Sequence, residues 1–156
     1  MKFEEREEIN RPSSDVYLAL SRPDLYLSRW SKGVLSATEL PSQASGDLVR
    51  YKILGRDLAG KVHWQYEVTS YEHGKCFAAR ATGGPVSFTE SFTLRALSEG
   101  ATEVTHMQEI QPRGLFGLLA PVLPFVWPTL IRKNLSSLKT VLESRKSPVP
   151  SVVASS

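Results

Sequence analysis

The fold of this chain is decided by residues 86–111, VSFTESFTLRALSEGATEVTHMQEIQ, in which apolar and polar side chains alternate on both sides of Glu99-Gly100. Alternation with a period of two is the pattern of a β-strand with one buried face. A turn signal that contains glycine, placed between two such runs, indicates a hairpin. The stretch therefore predicts two long antiparallel strands that lie side by side.

The same alternation continues upstream to residue 33, and turn signals such as His73-Gly74 and Gly83-Gly84-Pro85 divide it into segments. The predicted strands are residues 34–40, 47–54, 61–71, 75–81, 86–97 and 102–111. Because connections this short join only antiparallel neighbours, the six strands form a meander. Several of them exceed the usual strand length of about 5–6 residues, which predicts a strongly curved sheet.

Other elements are expected on both sides of the meander. Residues 2–10 alternate loosely and predict an edge strand, and the PSSD signal at 12–15 opens a short helix that a second one follows at 25–30. Downstream, apolar residues recur at helical spacing and predict an amphipathic helix of about four turns across the sheet: Leu130, Ile131, Leu135, Leu138, Val141 and Leu142. Residues 147–156, SPVPSVVASS, have the composition of a disordered tail, so we expect one domain at 1–146.

Composition excludes several classes of function. With 156 residues the chain is one domain in size, and its net charge of +3 is too small and too dispersed to indicate nucleic-acid binding. A single cysteine, Cys76, excludes an intrachain disulfide, and the three histidines do not converge on one face, so no metal is expected. No nucleotide or dinucleotide motif is present, and we expect no cofactor. The acidic start lacks the apolar core of a secretory signal, so a cytoplasmic setting is expected.

The order of elements and several local patterns resemble a known superfamily. The patterns are INRP at 9–12, VY at 16–17, Trp30, EVTSYE at 67–72, FTL at 92–94, GATEVT at 100–105 and LSSLKTVLE at 135–143. Across residues 2–145 the chain resembles the START-like (SRPBCC) superfamily, and within it the bacterial polyketide cyclase/dehydrase and lipid-transport type. The resemblance implies an α+β helix-grip fold: a strongly curved antiparallel sheet wrapped around a long C-terminal helix, with two short helices after the first strand. It also implies a cavity for hydrophobic ligands between sheet and helix, which some members use for cyclisation or dehydration.

Strand parity predicts which side chains point toward such a cavity. The inward residues that we single out as ligand-binding candidates are Trp64, Tyr66, Phe88, Glu90, Phe92, His106 and Gln108. A buried Glu90 needs a partner, and contact with His106 would supply one. An acid/base pair is also what an aldol cyclisation or a dehydration requires, so these two residues are the catalytic candidates. The structural alternatives are that Glu90 reaches solvent at a strand end and that His106 is an ordinary core histidine.

The most unusual segment is residues 114–131, GLFGLLAPVLPFVWPTLI, which is 18 residues long and carries no charge. Its length reaches that of a membrane span, but Pro121, Pro124 and Pro128 argue against one. The resemblance implies that residues 115–125 close one end of the cavity, which adds Leu119 and Leu123 to the ligand-binding candidates. Alternatively, residues 115–127 stay partly exposed and make transient contact with a membrane surface or a protein, with basic residues on both sides.

Three functions therefore remain open. The leading expectation is a carrier or sensor that binds a hydrophobic small molecule, such as a lipid, an isoprenoid or a polyketide-like compound. The first alternative is a polyketide cyclase or dehydratase that uses Glu90 and His106 as acid and base. The second is an interaction module that acts through the apolar surface at 115–127. The sequence favours no particular ligand and no particular oligomeric state.

Overall fold

A computed structural model describes residues 1–144 except 43, 45, 47, 58 and 59. The expected tail at 147–156 and the start of the strand expected at 47 lie outside the described residues. The strands are β1 (Lys2–Ile9), β2 (Val34–Glu39), β3 (Arg50–Asp57), β4 (Gly60–Glu72), β5 (Cys76–Thr82), β6 (Val86–Ser98) and β7 (Ala101–Pro112). The helices are α1 (Ser13–Ser21), α2 (Pro23–Trp30), a short 3₁₀ helix (Gly114–Leu119) and α3 (Leu123–Glu143).

The seven strands form one antiparallel sheet in the order β1-β7-β6-β5-β4-β3-β2. The predicted meander of β2 to β7 is confirmed, and β1 pairs with β7 at one edge. Register shifts interrupt three of the pairings, at residues 34–36, 68–70 and 96–98. Bulges of this kind bend a strand and increase its twist, which helps to curve a sheet whose edges, β1 and β2, do not close on each other.

Helix α3 packs across the concave face of the sheet, as its apolar spacing predicts. Ile131, Leu135, Leu138 and Leu142 are all at most 2% exposed and belong to the main hydrophobic core. The helices α1 and α2 supply Val16, Leu20 and Trp30, among others, to the same core. The predicted α+β helix-grip architecture, with two short helices after the first strand, is confirmed.

The N-terminal end of α3 differs from the prediction. The helix begins at Leu123, seven residues before the expected start, and spans 21 residues. Pro124 lies in the first turn, where a backbone N–H has no helical partner to lose. Pro128 lies inside the helix and leaves only the carbonyl of Pro124 without its usual i+4 donor, which is a smaller disturbance than the three prolines suggested. Among the described residues, no helix has the length and hydropathy to cross a membrane.

Side-chain hydrogen bonds fix the position of α3 on the sheet at both ends. Near its C-terminus, the Arg11 guanidinium donates from Nε to the carbonyl of Leu142 over 2.7 Å. Near its N-terminus, the Trp127 indole donates to Oε1 of Gln108 on β7 over 2.8 Å. These attachments hold the helix over the sheet and leave a cavity between its N-terminal half and the strands.

Candidate functional site

The cavity has a volume of about 200 Å³ and is bounded by α2, the sheet and α3. Its wall is largely apolar, and it includes all three tryptophans of the chain: Trp30 on α2, Trp64 on β4 and Trp127 on α3. A pocket lined by apolar and aromatic side chains with a few polar groups is the usual form of a small-molecule site.

The polar part of the wall is centred on the carboxylate of Glu90, which is only 8% exposed. The Tyr66 hydroxyl donates to Oε1 over 2.5 Å, and the Gln108 amide donates to Oε2 over 2.9 Å. The Nε2 atom of His106 lies 2.9 Å from the same Oε2. The predicted contact between Glu90 and His106 is thus present in the structure, and the Glu90 side chain is buried rather than exposed at a strand end.

The register of the sheet brings these residues together. Glu90 lies directly opposite Gln108 in the β6–β7 pairing. Phe92 and His106 form the next pair on the same face, two residues further along β6. The Tyr66 hydroxyl reaches Glu90 from β4, across the intervening strand β5. Two of the three buried positions of that strand are Ala79 and Ala81, and small side chains there leave room for the tyrosine ring to cross. Strands β4, β6 and β7 therefore supply the residues of the cluster, and β5 lies between β4 and β6.

Electrostatics keep this carboxylate ionised. Burial raises the pKa of Glu90, but the hydrogen bond and the charge of His106, together with the hydrogen bonds from Tyr66 and Gln108, outweigh burial and lower the pKa below its ordinary value of 4.5. Burial, and next the negative charge of Glu90, raise the pKa of Tyr66 well above 10, so its hydroxyl stays protonated and donates. The wall of this largely apolar cavity therefore contains an ionised carboxylate, that of Glu90, at neutral pH.

Because Glu90 is ionised, Nε2 of His106 must be the donor in the contact between them. The other ring nitrogen, Nδ1, is an acceptor when the imidazole is neutral and a donor when the ring is protonated. That Nδ1 atom is buried and has no hydrogen-bond partner among the described residues. The ring itself stacks on Phe92, with centroids 4.1 Å apart and an angle of 15° between the planes.

A second buried polar atom also has no partner in the described part of the chain. It is the indole Nε1 of Trp30, another residue of the cavity wall. The Trp30 ring packs edge-on against Phe92 from a centroid distance of 6.1 Å. Two residues of the wall thus each have a buried nitrogen without a partner among the described residues, and both of their rings contact Phe92.

Glycines create the space that Trp64 occupies. A Cβ atom added at Gly84 would lie 2.1 Å from the Trp64 Nε1, and one added at Gly55 would lie 2.6 Å from its Cζ3. No real Cβ fits at such distances, so both positions are restricted to glycine while the indole stays in place. The sequence analysis interpreted Gly83-Gly84 only as a turn signal and missed this second role.

Six of the nine ligand-binding candidates line the cavity: Trp64, Tyr66, Phe88, Glu90, His106 and Gln108. Phe92 does not, because it packs behind the ring of His106. Leu123 packs instead against Val86 and Ile110, and Leu119 is 47% exposed. None of residues 115–125 is among the residues that line the cavity, and the expectation that this segment closes one of its ends stays a prediction.

Six of the thirteen cavity residues that sequence reasoning missed lie on helices, where strand parity gives no information. Trp127, Leu130, Ile131 and Asn134 all line the cavity, and their i, i+3, i+4, i+7 spacing is a helical signal that could have identified them. At the mouth of the cavity, the Asn134 side chain accepts a hydrogen bond from the backbone N–H of Lys32. In the described part of the chain, no group of three His, Cys, Asp or Glu side chains could hold a metal ion.

Comparisons with solved structures support the same fold. The structure is similar to a START superfamily protein from Mycobacterium smegmatis, with a TM-score of 0.78, 10% identity and coverage of 92% of this chain and 97% of the other. It is also similar to the Zhui aromatase/cyclase from a Streptomyces species, with a TM-score of 0.74, 12% identity and coverage of 93% and 94%. A protein from Thermus thermophilus gives a TM-score of 0.76 at 16% identity, with coverage of 94% and 100%. No curated protein matches the chain.

The family is shown by a separate comparison of the sequence with family models. The model described as polyketide cyclase / dehydrase and lipid transport matches residues 1–143, which is nearly the whole chain. The match agrees with the resemblance that the local sequence patterns carry and with the fold of the similar structures. The chain therefore belongs to the polyketide cyclase / dehydrase and lipid transport family.

Proposed function

We propose that the protein binds a small, mostly apolar molecule with at least one hydroxyl group in the cavity between the sheet and α3, as a carrier or sensor. The observation that carries this proposal is that two residues of the cavity wall, Trp30 and His106, each have a buried nitrogen (Nε1 and Nδ1) without a partner in the described part of the chain. Buried polar groups in proteins nearly always have a hydrogen-bond partner, and a bound ligand would supply it. A hydroxyl group can accept from an indole, and it can donate to a neutral imidazole or accept from a protonated one.

Size and charge restrict the ligand further. An apolar cavity of about 150 Å³ accommodates a benzene molecule, so a cavity of this volume suits a single substituted ring or a comparable length of chain. A larger ligand requires α3 to move away from the sheet. A carboxylate on the buried end of the ligand is disfavoured, because it would lie near the ionised Glu90. Lys32 and Arg56 at the rim provide positive charge for an acidic group at the outer end.

The test is ligand binding in wild type and in a variant with a filled cavity. Ala81 lines the cavity and is fully buried, so Ala81→Leu places a larger side chain in the ligand space. Ala96→Leu makes the same change at an exposed position of β6 and is the matched control. Native mass spectrometry identifies a co-purifying molecule, and calorimetry with that molecule or with a panel of phenols and terpene alcohols gives the affinity.

We expect binding in wild type and Ala96→Leu and at least a tenfold loss in Ala81→Leu, with folding checked by circular dichroism. Equal affinity in all three proteins would place the ligand elsewhere. A wild type that retains nothing and binds no member of the panel would contradict the proposal.

A second candidate function, cyclisation or dehydration of a polyketide-like substrate, is favoured by the contact between Glu90 and His106. In this proposal, Nδ1 of His106 removes a proton from a carbon next to a carbonyl group. The ionised Glu90 orients the ring and stabilises the imidazolium that forms. In cyclisation, the electron pair of the broken C–H bond forms a bond to a second carbonyl carbon, the C=O π bond opens, and the resulting alkoxide oxygen takes the proton from His106. In dehydration, the electron pair forms a C=C bond and expels a neighbouring hydroxyl group, which leaves as water with the proton from His106.

This candidate is tested by turnover of a synthetic β-polyketone in His106→Ala and Glu90→Gln. We expect loss of product while binding is retained. His63→Ala, on the outer face of β4, is the control and should keep wild-type turnover. Unchanged turnover in both site variants would exclude this role, whereas the ligand-binding proposal would stand.

A further inference from the structure

An exposed apolar surface lies beside the cavity. It comprises the large apolar side chains of the 3₁₀ helix, the turn after it and the first turns of α3: Leu115, Leu118, Leu119, Val122, Phe125, Val126 and Leu130. We call this surface the apolar patch. Phe125 is 81% exposed and Leu115 is 82% exposed, although such side chains are normally buried. Contiguous apolar surface of this extent marks an interaction site.

The charges around the patch are of one sign. No Asp or Glu occurs between residues 111 and 142, whereas Arg113 and Lys133 lie at its two ends and are exposed. Neither side chain forms an ion pair or hydrogen bond with a described residue. The neighbouring Arg132 pairs with Glu5 over 3.1 Å but remains largely exposed. The surface therefore combines protruding apolar side chains with unneutralised positive charge.

The patch also reaches the mouth of the cavity. Leu130 is 42% exposed and at the same time lines the cavity wall. On the next turn, Asn134 lies at the mouth and binds the backbone of Lys32. A molecule that enters at this point passes directly from the surface on which the patch rests into the space beside Trp127.

We propose that the apolar patch docks on an anionic lipid bilayer and that the cavity exchanges its ligand with the bilayer at Leu130. Leucine and phenylalanine side chains insert into the interface between headgroups and acyl chains, while arginine and lysine at the edge bind anionic headgroups. A second copy of the chain fits the surface less well, because a symmetric contact would bring Arg113 and Lys133 near the same positive groups of the other copy. The exchange step rests on the proposed ligand-binding function, whereas the docking step does not.

The docking step is tested by flotation with vesicles of phosphatidylcholine alone and of an equal mixture of phosphatidylcholine and phosphatidylglycerol. Leu118→Ser combined with Phe125→Ser removes two exposed side chains that do not line the cavity. The matched control is Tyr71→Ser combined with Leu97→Ser, which removes two exposed apolar side chains at the opposite end of the sheet. Circular dichroism verifies that both proteins fold.

We expect wild type and the control to float with the anionic vesicles, to bind less at high salt and to bind weakly to phosphatidylcholine alone. The patch variant should lose at least about tenfold in partitioning, since it lacks two apolar side chains that would leave water on insertion. Failure of wild type to float, or equal flotation of the patch variant, would overturn the proposal. The proposal would also be overturned if wild type formed a dimer, the patch variant were a monomer and neither bound vesicles.

The exchange step has its own measurement. Transfer of the co-purifying molecule, or of the tightest binder in the panel, from anionic vesicles to the protein should slow at least about tenfold in the patch variant. Its equilibrium affinity in the absence of vesicles should be unchanged. Equal transfer rates would overturn this step. A wild type that floats but binds no ligand would contradict the ligand-binding function and leave docking intact.

Discussion

At the scale of single residues, the polarity of the cavity depends on Glu90. Alternation in β6 and β7 was enough to predict that Glu90, His106 and Gln108 share the inner face, because successive side chains of a strand point to opposite sides. The part played by Tyr66 could not be predicted, since its hydroxyl reaches Glu90 across β5 and strand parity says nothing about reach. The unpaired atoms of Trp30 and His106 depend on three-dimensional packing in the same way.

The pH dependence of stability should reveal the buried carboxylate. The pKa of Glu90 is lower in the folded protein than its ordinary value of 4.5, so the unfolded chain binds the proton more readily. The stability that the ionised group contributes is therefore present above pH 4.5 and is lost as the pH falls through the lowered pKa. Glu90→Gln should destabilise the protein at neutral pH by about 1–3 kcal/mol, because an amide has only one acceptor oxygen and its NH₂ group would face a buried donor.

Urea denaturation at a series of pH values gives the free energy of unfolding of wild type and Glu90→Gln. The difference between them should shrink as the pH falls below 4.5. Glu99→Gln, in the exposed turn between β6 and β7, should follow wild type throughout. If the difference in free energy of unfolding between wild type and Glu90→Gln grew as the pH fell, Glu90 would not be ionised in the folded protein.

At the scale of elements, α3 shows what periodicity can and cannot predict. The core-facing positions from Ile131 to Leu142 were predicted because they repeat at helical spacing. The first two turns of α3 were not predicted, because three prolines in an apolar run indicate a broken segment. In the structure the helix tolerates two of them, since Pro124 lies in its first turn and Pro128 leaves a single carbonyl without a donor. The sequence left open whether the side chains of this run face the cavity or the surface, and in the structure Phe125 is exposed whereas Trp127 lines the cavity.

Two leucines of this region should therefore differ sharply in their contribution to stability. Leu138 is fully buried on the face of α3 that packs against the core, and Leu138→Ala should lower the free energy of unfolding by about 2–5 kcal/mol. Leu118 is 77% exposed on the 3₁₀ helix, and Leu118→Ala should change it by less than about 0.5 kcal/mol. Urea denaturation of both variants measures the contrast. A comparable loss at Leu118 would mean that the 3₁₀ helix is part of the core.

At the scale of the whole molecule, the antiparallel meander and the crossing helix follow from alternation, short connections and one amphipathic segment. The volume of the cavity does not, because it depends on how far α3 stands from the sheet. That distance is set by individual contacts such as the hydrogen bonds of Arg11 and Trp127. The extent of the domain, predicted as residues 1–146, stays a prediction.

A truncated chain tests this extent. The last buried side chain of α3 is Leu142, and the family match ends at residue 143. A chain that ends at residue 146 should therefore melt within about 2 °C of the full chain, the shift that roughly 0.5 kcal/mol produces in a protein of this size. A chain that ends at residue 141 should melt well below both. Calorimetry distinguishes the outcomes, and a large loss at 146 would extend the domain toward residue 156.

The placement of the tryptophans has a practical consequence. Since Trp30, Trp64 and Trp127 are all the tryptophans of the chain and all line the cavity, tryptophan emission from this protein comes entirely from the cavity wall. A molecule that enters the cavity changes the surroundings of three fluorophores at once, whereas one that binds the outer face of the sheet changes none. Intrinsic tryptophan fluorescence can therefore be used, without an added label, to screen compounds for occupancy of the cavity.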